Sequence, residues 1–268
     1  MELHDWRTPL SARAVALAFL STTRAPMRTA ALIRRAEICD VDGAAVRMAL
    51  GRLVRDGVVE QPARGLYAIG ARGQAVNRLA RGWAQAEARV RDWHGRWIVV
   101  AVDHLGRGDR RALRLRERAL RLTGLVRADS GLWVRPDNLA LPLPDLAAQL
   151  CALGLEPGAP VLGDVAVPDH AAAAWRALWP GEEIADGYRH WIAQIAASEA
   201  RLPGLSATQA ARETLLLGQS VIRAINLDPL LPAAMVDTRS RRDMIESMRR
   251  YDATGKGYWA TIDRAARQ

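Results

Sequence analysis

Three short helix patterns followed at once by a hairpin pattern fill the first 70 residues, and that order constrains the chain more than any single residue in it. Residues 10–22 place Ala14, Leu17, Ala18 and Ser21 at helical spacing, with Ser11 available as an N-cap. After Pro26 a shorter helix is predicted over 29–36, with Leu32, Ile33 and Ala36 on one face. A third starts after Asp40 or Asp42, runs through Val46, Ala49, Leu50, Leu53 and Val54, and ends at Gly57, a residue suited to the left-handed C′ position. Val58-Val59-Glu60-Gln61 and Leu66-Tyr67-Ala68-Ile69 then read as two strands joined by Pro62-Ala63-Arg64-Gly65. Three helices and a two-stranded ribbon in this order predict a winged helix-turn-helix over residues 1–70.

The remaining chain falls into three further segments. An arginine-rich helix with Val76, Leu79, Trp83 and Val90 on a partial apolar stripe is predicted over 72–91, as a linker spanning 71–95. Residues 96–168 alternate strand and helix patterns: a β-branched strand at 96–102, an amphipathic helix over 109–124 carrying Leu113, Leu115, Leu120 and Leu122, a strand at 131–136, a helix over 144–154 and a closing strand at 159–167. With room for an extra strand near 125–128, this order suits a ferredoxin-like α+β dimerisation domain. From 169 to 268 only helix patterns occur, over 171–178, 191–202, 206–225 and 239–251, broken at Pro180-Gly181, Pro203-Gly204, Asp228-Pro229 and Pro232. The expected fold class is therefore α+β and multidomain.

A formal charge of +9 in 268 residues favours a polyanionic partner. Lys256 is the only lysine, so the positions of the arginines say more than their number. No apolar run reaches the roughly 20 residues of a membrane span, and Met1-Glu2-Leu3-His4-Asp5-Trp6-Arg7 has no leader pattern, so a cytoplasmic protein with no membrane partner is expected. Cys39 and Cys151 lie far apart, and His4, His94, His104, His170 and His190 are scattered, so neither a disulfide nor a metal site is read, and no cofactor is expected.

Burying Val46, Leu50, Leu53 and Val54 turns Arg47, Gly51 and Arg55 of the third helix outward, with Met48 and Arg52 beside them. Such a helix can enter a major groove, with Arg47 reading a base edge and Arg52 and Arg55 touching phosphate. Arg64 at the hairpin turn is placed for the adjacent minor groove or backbone, and Arg28, Arg34 and Arg35 are further backbone candidates. Solvation of an outer helix face is the alternative for each arginine taken singly.

The run from Ala44 to Gly57, AAVRMALGRLVRDG, resembles the recognition helix of the PaaX family, repressors of phenylacetate-degradation operons. Ser11-Ala12-Arg13 is similar to that family's opening, and Trp97-Ile98-Val99-Val100-Ala101-Val102-Asp103 with Leu122-Thr123-Gly124-Leu125 to its middle domain. Gly131-Leu132-Trp133-Val134-Arg135-Pro136 and Asp228-Pro229-Leu230-Leu231-Pro232 resemble later segments in the same order. The resemblance implies a homodimer on palindromic double-stranded operator DNA, released by a small effector that is an aryl-acetyl-CoA thioester in the best-known members. Met48, Gly51 and the Asp42-Gly43 entry depart from the family pattern, so the operator sequence need not be shared.

Two other functions stay open. The middle segment also resembles small CRISPR-associated ferredoxin-like endoribonucleases, whose first strand ends in a metal-binding aspartate where Asp103 stands, which implies a metal-dependent ribonuclease. A nucleoid-type binder without sequence preference is the other. For a regulator, an effector pocket is expected between the middle and C-terminal segments. Trp175, Trp179 and Trp191 would stack on a ring there, and Arg223, Arg239, Arg241 and Arg242 would neutralise the phosphates of an acyl-CoA or the charge of an organic acid.

Overall fold

Local capping signals set the first elements where the sequence places them. In the computed structural model Ser11 accepts a hydrogen bond from Ala14 N (3.2 Å) at the start of α1 (Ala12–Thr22). Asp42 does the same for Ala45 N (2.9 Å) at the start of α3 (Gly43–Arg55). Between them lie β1 (Met27–Arg28) and α2 (Thr29–Ile38). The antiparallel strands β2 (Val59–Ala63) and β3 (Leu66–Ile69) follow, and β1 joins β3 on its other edge to give the order β1-β3-β2. The description covers residues 6–8, 10–23 and 25–266; residues 1–5, with His4 and most of the stretch used to read the N-terminus, lie outside the described residues, as do Pro9, Arg24 and 267–268.

The fold is α+β, with two small antiparallel sheets and a helical C-terminal region. It divides into two compact units, each assembled from separate stretches of chain: Ala84–Arg189 with Ala224–Ile245, and Glu2–Trp83 with His190–Arg223 and Glu246–Gln268. Among the described residues no helix is long and apolar enough to cross a membrane.

The predicted single linker helix breaks in two. α4 (Ala71–Arg81) stops where Gly82 caps it, and Gly82–Arg89 continues as a 3-10 segment in which Gln85 leaves helical geometry (φ −106°, ψ 20°). Val90 then pairs with Leu139 as an isolated bridge. A partial apolar stripe is too weak to hold a helix of this length straight.

In the first unit β4 (Trp97–Val100) forms the buried centre of a four-stranded sheet ordered β5-β6-β4-β7, where β5 is Val126–Arg127, β6 Trp133–Pro136 and β7 Val161–Val165. Every pairing is antiparallel, with Val99 opposite Val134 on one side and Leu162 on the other. Helices α5 (Arg110–Leu122) and α6 (Leu143–Leu153) bury Leu120, Leu146 and Leu150. Trp97 packs edge-on to Trp93 and to Trp175 of α7 (Asp169–Arg176), at 5.4 and 5.2 Å between ring centroids.

A buried polar network fastens the Asp228–Pro232 segment in the same unit. Arg135 donates to the carbonyls of Thr123, Pro136 and Pro229 and to Asn138 Oδ1, and Asn138 Nδ2 donates to Leu230 O at 2.7 Å. Arg241 donates to Glu87 (2.6 Å) and to Leu231 O (2.8 Å), while the Tyr188 hydroxyl donates to Asp228 at 2.5 Å. Burial lowers the Arg135 pKa to about 9 and pushes the Asp228 carboxyl up, against the pull of Arg241.

The C-terminal helices are longer than their sequence pattern: α8 spans Gly181–Arg201, α9 Ala207–Leu227 and α10 Thr238–Ala265. In the second unit α10 continues through Gly255, whose missing side chain lets Thr214 approach to 3.0 Å of where a Cβ would stand.

Candidate nucleic-acid interface

Position on α3 follows from its two faces. Val46, Leu50 and Leu53 are fully buried against Val15, Leu20, Leu32 and Val59, which fixes the rotation of the helix about its axis. Arg47, Met48, Gly51, Arg52 and Arg55 are consequently all exposed, Met48 at 61%. Among the described residues Arg47, Arg52 and Arg55 enter no ion pair, so their guanidinium groups are available to an anion. A Cβ on Gly51 would meet nothing within 4 Å, so the middle of this face is bare backbone flanked by arginines.

Both ends of α3 are pinned. Gly43, its first residue, leaves room for Ile33, whose Cγ2 would lie 2.9 Å from an added Cβ, so α2 and α3 meet closely at this corner. At the other end Gly57 (φ +67°) donates to Val54 O and Val58 N donates to Leu53 O, the paired bonds of a Schellman cap. The Gly57 Cβ position is also closed by Arg72 Cδ at 2.9 Å.

The hairpin is anchored at its tip. Gly65 turns with φ +74°, and its carbonyl accepts from both Thr29 N (2.9 Å) and Thr29 Oγ1 (3.1 Å), tying the turn to the start of α2. Arg64, exposed and without an ion pair among the described residues, projects from a turn fixed at its neighbour. Sequence periodicity missed β1, whose two residues are too few to show alternation, yet it brings exposed Arg28 onto the same sheet. Arg34 is exposed, whereas Arg35 is drawn into an ion pair with Asp263 at 2.5 Å.

The residues singled out for an effector divide between the two units. Trp175, Trp179, Arg239, Arg241 and Arg242 fall in the first, Trp191 and Arg223 in the second. Trp179 stacks at 6.3 Å on Trp97, and both Trp179 and Trp191 are buried among packed side chains. Arg241 is 2% exposed and directs its donors to Glu87 and Leu231, so this arginine neutralises charge inside the fold and presents none to a ligand. Arg223, Arg239 and Arg242 are exposed. A cleft of about 390 Å³ in the first unit is lined by Ile98, Leu139, Leu143 and Leu146, with Arg91 and Asp137 at its polar side, residues that sequence patterns gave no reason to group.

Asp103 is exposed, and its Oδ1 accepts from both Arg107 (3.2 Å) and Arg127 (3.3 Å). Among the described residues no three His, Cys, Asp or Glu side chains gather as metal ligands.

No protein-family model matches the chain, and no curated protein matches it. Among solved structures it is similar to the uncharacterized protein Rv0674 of Mycobacterium tuberculosis. The two share 21% identity at a TM-score of 0.54, over 92% of this chain and 99% of that one. At that identity the likeness shows a shared fold.

Proposed function

We propose that the chain is a DNA-binding transcriptional regulator in which α1, α2, α3 and the β2-β3 ribbon act as a winged helix-turn-helix. The observation that carries this is the outward face of α3, where Arg47, Arg52 and Arg55 stand exposed, with no ion pair among the described residues, around the bare backbone at Gly51. Arg47 makes a bidentate contact to a guanine edge in the major groove, Gly51 and Met48 lie against the base floor, and Arg52, Arg55 and Arg64 meet phosphates. The order β5-β6-β4-β7 is the one a ferredoxin-like sandwich requires, and on this reading that domain pairs two copies of the chain. The resemblance of residues 44–57 to PaaX recognition helices supports the same assignment.

A cytoplasmic repressor of this kind is released when an organic acid or acyl-CoA binds one dimer state more tightly than the other. The cleft in the first unit has an apolar floor suited to an acyl or aryl group; its one cation, Arg91, is paired with Asp137 at 2.7 Å, so an acid bound there competes with that carboxylate.

Selection of bound fragments from a random duplex pool tests the core of the proposal. A palindrome with half-sites about one helical turn apart should emerge. Arg47→Ala should then weaken binding to it by about 10- to 100-fold and relax the preference at one base position, as loss of about 1–3 kcal/mol implies. A pool that enriches no sequence would return the protein to the class of non-specific binders.

A further inference from the structure

The strongest unassigned feature is a second arginine face, on α5 of the first unit. Its 13 residues, RRALRLRERALRL, contain six arginines and one glutamate. Arg116 alone points inward, 3% exposed, and is held by Glu156 through Nε and Nη2. Arg110, Arg111, Arg114, Arg118 and Arg121 are all exposed, and at 100° per residue they fall within an arc of about 100°. From Arg111 to Arg121 the stripe is roughly 15 Å long at 1.5 Å per residue. Among the described residues none of the five enters an ion pair; Arg121 lies 6.0 Å from the Trp133 ring.

This arrangement works against the helix that carries it. Arg110 with Arg114, and Arg114 with Arg118, are like charges one turn apart, which destabilise a helix. Arg110 and Arg111 occupy its first turn, at the positive end of the dipole, where the N-cap Asp109, which accepts from Arg111 N and Ala112 N, is the one carboxylate to offset them. A solvated face chosen only for solubility would mix signs. A ligand that supplies a row of negative charges relieves the repulsion along the whole stripe, beyond the reach of Asp109 at its first turn.

We propose that the arginine stripe of α5 binds the sugar-phosphate backbone of duplex DNA, as a sequence-independent surface distinct from α3. Along one strand of duplex DNA the charges are about 3.4 Å apart on the axis, so a stripe of this length runs beside about four phosphates. Guanidinium groups meet phosphate oxygens in bidentate geometry that needs no particular base. An anionic membrane is a poorer match: an interfacial helix inserts an apolar face, and here Ala119 and Leu120 are fully buried in the unit and Leu113 and Leu122 half-buried, leaving Leu115, 37% exposed, as the one exposed large apolar side chain of the helix. The proposal does not depend on whether α3 reads sequence.

The test uses the full chain and a random-sequence duplex, with affinity measured by anisotropy from about 50 to 300 mM salt, the range over which counterion release is steep. Replacing Arg111, Arg114 and Arg118 together by Gln should flatten the plot of log K against log salt by nearly three, about 0.9 per lost phosphate contact. It should also weaken binding at least tenfold at the lowest salt, while the unfolding midpoint is kept or raised, since the three side chains are exposed and their mutual repulsion is removed. The matching triple Lys variant should retain the slope, because the slope counts the phosphates neutralised and not the geometry of each contact. The ratio of affinities for a selected site and a random duplex should be unchanged in the Gln variant, whereas Arg47→Ala alters that ratio; the two variants therefore separate failure of this surface from failure of α3. An unchanged slope in a folded Gln variant would overturn the proposal. So would loss of binding to vesicles of anionic phospholipid with DNA affinity intact.

Discussion

Cys39 and Cys151 show how far one residue's setting departs from what its type suggests. Cys39 is fully buried beneath α2 and α3, and burial pushes its thiol up to about 11, whereas Cys151 is exposed. Native protein should therefore release colour from a disulfide reagent with one thiol per chain, and with two once denatured. The raised value also sets a pH dependence. An unfolded thiol loses its proton near 9 while the folded one keeps it to about 11, so the folded state binds more protons in that window and stability falls as pH rises through it. Below 9 the contribution is complete; by pH 11 the parent should have lost on the order of 2 kcal/mol relative to Cys39→Ala, read by urea denaturation at pH 8 and 11. A difference that is the same at both pH values would contradict the burial. Asp228 makes a second case. Its side chain is 3% exposed beside Arg241, also buried, and it accepts the Tyr188 hydroxyl. Asp228→Ala should cost about 3 kcal/mol of unfolding free energy, because Arg241 and Tyr188 are left buried with fewer partners. Asp228→Asn, which keeps an acceptor, should cost less. None of this was legible in the sequence, where an arginine cluster at 239–242 reads as ligand-binding; the partner Glu87 lies 154 residues away along the chain.

At the scale of elements, caps carried the legible information. Ser11, Asp42 and Gly57 mark real helix ends because each acts on backbone groups within a few residues, and such local bonds can be read without knowing the fold. β1 was invisible for the opposite reason, since its two residues are extended only because β3 pairs with them. The outward side of α3 was legible because burial of Val46, Leu50 and Leu53 leaves one choice for Arg47, Gly51 and Arg55. Gly51 then offers a test that separates stability from binding. In a helix interior Ala is favoured over Gly by about 1 kcal/mol, and here an added Cβ meets no neighbour, so Gly51→Ala should stabilise the fold by up to that amount. Gly51→Gln should be similarly tolerated by the fold, yet weaken duplex binding tenfold or more if the backbone of α3 lies close to base edges. A Gln variant that binds as well as the parent would place another face of the domain on DNA.

For the whole molecule, the main departure from a linear reading is that each compact unit is built from segments far apart in sequence. Hydrophobic periodicity reports which face of a helix is buried and is silent about which neighbour buries it, so long helices at the C-terminus read as a region of their own. In the second unit α10 instead completes the core around the first helices. The Trp259 ring packs edge-on against Phe19 at 5.1 Å, Arg35 lies over both rings, and Asp263 closes an ion pair with Arg35 at 2.5 Å. Arg212 of α9 pairs with Asp40, in the turn between α2 and α3, at 2.5 Å. The helices that hold α3 are therefore themselves held by distant chain, and a fragment ending at Trp83 would expose the side of Phe19 that Trp259 covers. Trp259→Ala in the full chain should cost about 2 kcal/mol, less than the roughly 3–5 kcal/mol of a fully buried aromatic side chain because this ring is half-buried. Asp263→Ala, which removes a partly exposed ion pair, should cost about 1 kcal/mol or less. Urea denaturation followed by far-ultraviolet dichroism measures both. If Trp259→Ala unfolds at the parent's midpoint, or if the fragment of residues 1–83 is as resistant to urea as the full chain, then the N-terminal helices form a self-sufficient domain and α10 contributes nothing to holding α3 in place.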